Sequence, residues 1–279
     1  PMLSGYQPSF YLEEDTSEDK DVLHDDRQRD RFLVKMMYIL MVKRLESSWF
    51  SFLSTVEKIK NHHQNALDKI KEYQEGKANS GLVNETGGLF EEDDLQDDFE
   101  ELTLGKKRKI NISDIDAAGN LNKFKRDVKK DLDALDNLFV NLQKFESKIE
   151  KETVRPGNNK SEDDKIETLI AEISRKRSSG ENKSNPKVVI FSVYRDTAQY
   201  LFTQLSKRGF DRVAMVSGSG SQASDSDEET KNFEPILERF APYTKLYMEK
   251  VWDFATTKSG IDAYYEWIEW VAKNHPKTY

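Results

Sequence analysis

At 279 residues the chain has room for one large or two modest domains, and 34% charged against 36% hydrophobic residues makes much of it solvated helix or linker rather than core. The net charge of −8 argues against a protein that coats nucleic acid over its whole surface, while leaving a local basic groove open. No cysteine occurs, which removes disulfide frameworks and thiolate chemistry and fits a reducing, cytoplasmic compartment.

The longest apolar run, within 32–42, is interrupted by Lys35 and is too short to span a bilayer, so no membrane partner is expected. The chain opens at Pro1 in polar sequence without a charged-then-apolar leader, which reads as the start of an excised segment. His24, His62, His63 and His275 show no ligand spacing. Neighbouring His62 and His63 point about 100° apart on a helix, a surface pair rather than a chelate, and no metal site is expected.

Residues 1–26 read as an irregular acidic lead-in. Over 27–73 Phe32, Met36, Ile39, Leu45, Trp49, Phe52, Val56, Ile59, His63, Leu67 and Ile70 recur mostly in steps of three and four, predicting one long helix or two nearly collinear ones. A second long helix is predicted over 121–150, with Phe124, Val128, Leu132, Leu135, Phe139 and Leu142 on one stripe. Two such helices pack antiparallel as a coiled-coil hairpin spanning 27–153. Its charged tip, 76–120, holds eight acids between Glu91 and Glu101 and the basic cluster Lys106 to Lys109. The tip is either a solvated loop or a docking point for a protein partner.

A Pro/Gly/Asn linker covers 154–160, and a helix starting near Asp164 buries Ile166, Leu169, Ile170 and Ile173. After a second linker, 178–186, the run Val188 to Phe191 is apolar without alternation, as in a strand covered on both faces. Ala198, Leu201, Phe202 and Leu205 then mark an amphipathic helix stopped by Gly209, and 212–216 (RVAMV) marks a second strand. That order is a βαβ unit with a parallel pair. Residues 217–230 read as a flexible acidic linker: Gly218 and Gly220 lack the third glycine of a dinucleotide loop, since position 223 is alanine. Over 261–272 a helix apolar around most of its circumference needs burial.

In an open parallel sheet, function gathers where strands end and helices begin. Ser192, Tyr194, Arg195 and Thr197 at the first such place, and Ser217 and Gly218 at the second, are the candidates for gripping phosphates. The bland alternative is that Asp196 or Thr197 caps the helix and Arg195 lies on the surface. Lys43, Arg44 and Glu46 put charge on a strongly apolar helix; Arg44 and Glu46, two apart, do not share a face, so bridging to another domain and solvation both stand. No G-x-x-x-x-G-K-[ST], Ser–His–Asp set or carboxylate pair emerges, and no catalytic residue is expected.

KVVIFSVYRDTAQYL (187–201), with DDKIETLI (163–170) before it, resembles the opening of the second RecA-like domain of Swi/Snf-type superfamily-two DNA helicases and translocases, including the bacterial RapA-related branch. KRLESSWFSF (43–52) resembles the helix preceding that domain, and ILERFAPY (236–243) the helix after its second strand; the matches touch about a quarter of the chain. The resemblance implies an α/β protein, mostly helical by content: a long helical hairpin plus a partial RecA-like parallel β/α domain over 161–279 with a C-terminal helical insertion. It implies a parent that is an ATP-binding hydrolase using ATP and Mg²⁺, with the loops at Ser192 and Gly218 tracking a DNA or RNA backbone. It also implies that the helix carrying Lys43, Arg44 and Glu46 packs beside the motor domains, with these residues bridging to them, the first RecA-like domain of the parent included, or to nucleic acid. The family's P-loop, metal-binding acids and late Thr-Asp, Ser-Glu-Gly and arginine motifs do not occur here, so the segment alone is expected to hold no cofactor and to be inactive. The other reading is a non-enzymatic coiled-coil interaction module.

Overall fold

The computed structural model describes residues 1–13, 17–76, 110–153, 163–178, 187–218, 220–224, 233–241 and 252–275. It is mostly helical, with helices α1 (Ser17–Ser47), α2 (Trp49–Gln74), α3 (Ile112–Ala117), α4 (Leu121–Thr153), α5 (Asp164–Ser178), α6 (Arg195–Lys207), α7 (Glu234–Phe240) and α8 (Gly260–Asn274). A single hairpin of β1 (Ala214–Ser217) and β2 (Gly220–Ala223) is the whole sheet among the described residues. The acid and base blocks of the tip, and most of both linkers, lie outside those residues. No helix among them is long and apolar enough to cross a membrane. Two compact units form: Pro1–Arg175 with Ile190–Gln204, and Lys176–Val189 with Leu205–Tyr279.

In the first unit the helical stretch expected over 27–73 is not collinear. It reverses at Ser48, whose extended backbone (φ −157°, ψ 150°) separates α1 from α2. Ser48 Oγ accepts the Ser51 N–H at 3.1 Å, satisfying a donor that the helix itself leaves orphaned. The two helices then run back along each other, so Val34, Met37 and Met41 share a cluster with Leu53, Val56 and Ile59. α4 lies antiparallel to α2: Trp49 meets Phe145 edge-on, Lys60 pairs with Asp136 at 3.1 Å, and Lys125 reaches Gln74 at 2.7 Å. Leu135 and Phe139 of α4 close this layer, while Phe124 and Val128 close a second layer around Ala66, Leu67 and Ile70. Ile110, Ile112 and Ile115 are buried there too, so the end of the expected tip belongs to the core.

The lead-in is likewise part of the core rather than irregular surface. Residues 17–26 already form α1, and two 3-10 turns, Ser4–Tyr6 and Pro8–Tyr11, bury Leu3, Tyr6, Tyr11 and Leu12. The buried carboxylate of Asp131 accepts the N–H groups of Met2 (2.6 Å) and Ser4 (2.7 Å). Ser9 donates its N–H (3.1 Å) and its hydroxyl (2.5 Å) to Asp30. His63 is buried, as its place on the apolar stripe implies and against its reading as half of a surface pair: Nδ1 donates to the Ile59 carbonyl at 2.9 Å, and Nε2 accepts the Gly5 N–H at 3.4 Å. His62 stacks on Tyr6 with ring centroids 3.9 Å apart.

The parallel βαβ unit is not formed. Lys187 to Tyr194 carries no strand, and Phe191 and Val193 are 91% and 73% exposed. The 214–217 strand pairs instead with 220–223, antiparallel, with Ser217 opposite Gly220, so part of the expected 217–230 linker is strand. The reason is locality. A hairpin closes on its neighbour in sequence, whereas a parallel pair needs a distant partner and cover on both faces. α6 does form and ends as expected: Gly209 takes φ +80° and Phe210 N–H bonds the Leu205 carbonyl at 3.1 Å. In the second unit α8 buries Ala263, Trp267 and Val271, and Trp252 meets Trp267, Trp270 and His275 edge-on.

Two buried groups oppose each other in their pH dependence. Burial pushes the Asp30 carboxyl up from its usual range to about 6, against the lowering effect of the Ser9 hydrogen bonds. With the folded pKa raised, its stabilisation is complete below the unfolded value near 4 and is lost as pH rises through about 6. Burial lowers the His63 pKa, so its contribution is complete above the unfolded value near 6.5 and is lost as pH falls below it. Asp30→Asn is expected to abolish the loss of stability on going from pH 4 to pH 6 and to leave the acid-side loss standing, as read by urea unfolding across that range. An identical pH profile in the variant would contradict the assignment to Asp30.

Candidate functional site

The segment 43–52, which makes the α1–α2 reversal, and the segment 192–200, which opens α6, come together in the first unit. Arg44 is the keystone. It is buried on the inner face of α1, with NH1 2.8 Å from Asp196 Oδ2 and its guanidinium 4.8 Å over the Tyr194 ring. An arginine suits this place because its planar, delocalised cation stacks on an aromatic face while its edge donates to a carboxylate. Beside it, the Ser47 and Ser48 hydroxyls lie 2.8 and 3.0 Å from Thr197 Oγ1. Ser48 thus caps α2 and engages α6 through one oxygen.

One turn further, Trp49 Nε1 donates to Asp163 Oδ2 at 3.0 Å and to the Tyr200 hydroxyl at 3.1 Å. Tyr200 in turn donates to the same carboxylate oxygen at 2.6 Å. The other oxygen, Asp163 Oδ1, accepts the N–H groups of Lys165 (3.1 Å) and Ile166 (3.3 Å), capping α5. Phe50 stacks on Tyr200 with centroids 5.5 Å apart and planes 14° apart. Lys165 Nζ donates to the Glu46 carbonyl. The reversal therefore holds the first turns of both α5 and α6 through charge, hydroxyl and aromatic contacts.

The predicted residues fall into distinct situations. Tyr194 and Thr197 are buried, their ring and hydroxyl engaged by Arg44 and by the two serines. Ser192 is exposed, and its hydroxyl accepts the Tyr194 N–H at 3.2 Å and donates to the Tyr194 carbonyl at 3.0 Å, shaping the turn before α6. Arg195 is partly exposed at the first position of α6. Ser217 and Gly218 belong to the second unit; Ser217 Oγ donates to the Gly220 carbonyl at 3.0 Å within the hairpin, and Gly218 is exposed in its turn. Lys43 and Glu46 are exposed, and of the three charged residues in KRLE only Arg44 is enclosed.

Asp163, Ser47, Ser48 and Tyr200 are not singled out by sequence, Trp49 reads only as a stripe residue, and Asp196 only as a cap. Asp196 lies 152 residues from Arg44, and a polar residue at a helix start already has a local explanation as a cap. The available signal was the cation on an apolar helix, which requires a distant counter-charge when it is enclosed.

Chemically the arrangement positions helices; it presents no nucleophile with an adjacent base. Among the described residues no group of three or more His, Asp or Glu side chains is placed to hold a metal ion. No protein-family model, curated protein or solved structure matches the chain.

Arg44→Ala is expected to cost about 1–3 kcal/mol, since it removes the ion pair to a partly buried Asp196 together with the stacking on Tyr194. In that background Asp196→Ala should cost less than it does alone, with a coupling of about 0.5–3 kcal/mol in a double-mutant cycle by urea unfolding. Additive costs would show that the two side chains do not interact.

Proposed function

We propose that the chain is the helical region and the opening of the second RecA-like domain of an ATP-dependent, Swi/Snf-type nucleic-acid translocase. ATP and Mg²⁺ are bound elsewhere in the parent, including its first RecA-like domain, and this segment contacts the backbone of DNA or RNA. The observation that supports the reading is the Arg44–Asp196 pair at 2.8 Å. KRLESSWFSF and VYRDTAQYL, whose resemblances are to consecutive pieces of one motor, lie about 150 residues apart and make side-chain contact through their charged and hydroxyl residues. Within that contact, the Ser192–Arg195 turn faces outward while Tyr194 and Thr197 fix it from behind. The proposed phosphate contacts are therefore Ser192 and Arg195, with Ser217 and Gly218 as a separate loop. Tyr194 and Thr197 act as supports.

One observation favours the non-enzymatic reading. The described sheet is one short antiparallel hairpin, and among the described residues both hydrophobic core clusters lie in the bundle built on α1, α2 and α4, as an interaction module would require.

Duplex-DNA binding by the purified chain, measured by fluorescence anisotropy at several salt concentrations, separates the two. The translocase reading expects salt-dependent binding whose log–log slope falls by about one in Arg195→Ala, as for one lost phosphate contact. Absence of binding, or an unchanged slope, would support the interaction module. Steady-state ATP hydrolysis by this chain alone would contradict the proposed division of labour.

A further inference from the structure

The segment before α1 crosses the bundle in two short turns joined at Gln7. Its first turn sits on two adjacent histidines of α2, which between them engage both backbone groups of one residue. His62 Nε2 lies 3.0 Å from the Gly5 carbonyl oxygen, and His63 Nε2 lies 3.4 Å from the Gly5 amide nitrogen. Both rings press directly on Gly5, where a Cβ would come within 3.3 Å of each. Tyr6 is buried beside them, stacked on His62 and edge-on to His63 with centroids 5.6 Å apart.

The two imidazoles differ in what a further proton does. A carbonyl only accepts, so His62 donates through Nε2, and a proton added at its other nitrogen leaves that bond in place. His63 has no such freedom. Its Nδ1 already donates to the Ile59 carbonyl at 2.9 Å, so Nε2 is the bare nitrogen that accepts from Gly5. A second ring proton would set N–H against N–H and put a charge on a side chain with no exposed surface. Around His63 stand His62 on its own helix, Tyr6 and the Pro1 amine on the segment above it, and Asp131 on α4. From α1, Tyr38 donates its hydroxyl to the Pro1 carbonyl. The Asp131 carboxylate favours a charged ring, but burial outweighs it.

The second turn answers to pH in the opposite sense. Ser9 holds it to Asp30, whose carboxyl is raised to about 6, so that hold grows as pH falls. Tyr11 adds two further ties: its hydroxyl donates to Asp127 at 3.0 Å, and its carbonyl accepts from Asn120 at 3.1 Å. We infer that residues 1–7 are a strap that lifts off α2 in mild acid, hinged at Gln7, when His63 takes up a second ring proton, while residues 8–12 stay seated. Lifting uncovers the apolar seat of Leu3 and Tyr6, which they share with Met37, Val56, Ile59 and Leu135.

Amide hydrogen exchange by NMR, corrected for the intrinsic rate at each pH, tests this between about pH 7.5 and 5.5, either side of the ordinary histidine value. Protection at Gly5, Tyr6 and Gln7 is expected to fall about three- to tenfold, the ceiling set by one site that titrates near 6.5 once released. Protection at Phe10 and Leu12 should hold or rise. The midpoint of the fall should coincide with the titration of the His63 ring followed through its own carbon signals. His63→Gln keeps an acceptor within reach of Gly5 and cannot titrate, so it should flatten the fall, whereas His62→Gln should leave it. An equal fall at Phe10 and Leu12 would overturn the inference, as would a midpoint apart from the His63 titration. Both of those are read on the unsubstituted chain, so the inference stays open to refutation even if His63→Gln does not fold. A fall that survives in His63→Gln, or one that is lost in His62→Gln, would also overturn it. None of these readouts involves ATP, nucleic acid or Arg195, so the inference stands or fails apart from the translocase reading.

Discussion

Much of the first unit depends on the reversal at Ser48. A single residue in extended conformation turns a stretch with continuous helical periodicity into two antiparallel helices. The reversal lets α2 present one side to α1 and another to α4, which creates the two core layers. It is held from both directions: the Ser48 hydroxyl accepts the Ser51 N–H, and the same oxygen lies 3.0 Å from Thr197. A cap of this kind contributes about 1 kcal/mol by itself. Here it also sets where Arg44 and Trp49 emerge, and hence which elements α1 and α2 can grip.

The grip is mixed in character, and the mixture explains its specificity. An ion pair alone in partly wet surroundings contributes little. Arg44 combines the pair with a stacked aromatic, and Trp49 combines a shared hydrogen bond with edge contacts to Phe145 and Tyr200. Asp163 divides its two oxygens between capping α5 and receiving Trp49 and Tyr200. Each polar group is thereby tied to an element start, so displacing one helix leaves several buried groups without partners. The arrangement positions α5 and α6 relative to the bundle, and the turn before α6 inherits that placement.

The helices were legible because their signal is local. Periodicity located α2, α4, α5, α6 and α8, and Gly209 marked where α6 stops. Properties that depend on distant partners were not legible. The Val188–Phe191 run has a strand's composition, but a strand exists only with a ladder partner, and 214–217 found a nearer one in 220–223. The lead-in looked acidic and irregular because its anchors sit elsewhere: Asp131, an ordinary surface acid by sequence, collects two of its amides. His63 lies on the apolar stripe of α2 and its periodicity pointed inward, but its reading as half of a surface pair failed because nothing local shows Gly5 lying over it. At the candidate site Arg44 was visible as a misplaced charge, while its partner Asp196 was hidden behind a plausible role as a cap.

The claim that the Ser48 reversal and the start of α6 form one unit can be tested by native-state hydrogen exchange on Ser48→Ala. If they are one unit, protection falls together in the first turn of α2 and at the Ala198 amide, which bonds the Tyr194 carbonyl at 3.1 Å. If protection falls at the Ser51 and Phe52 amides while Ala198 keeps its wild-type rate, α6 is held independently of the reversal, and the account is contradicted.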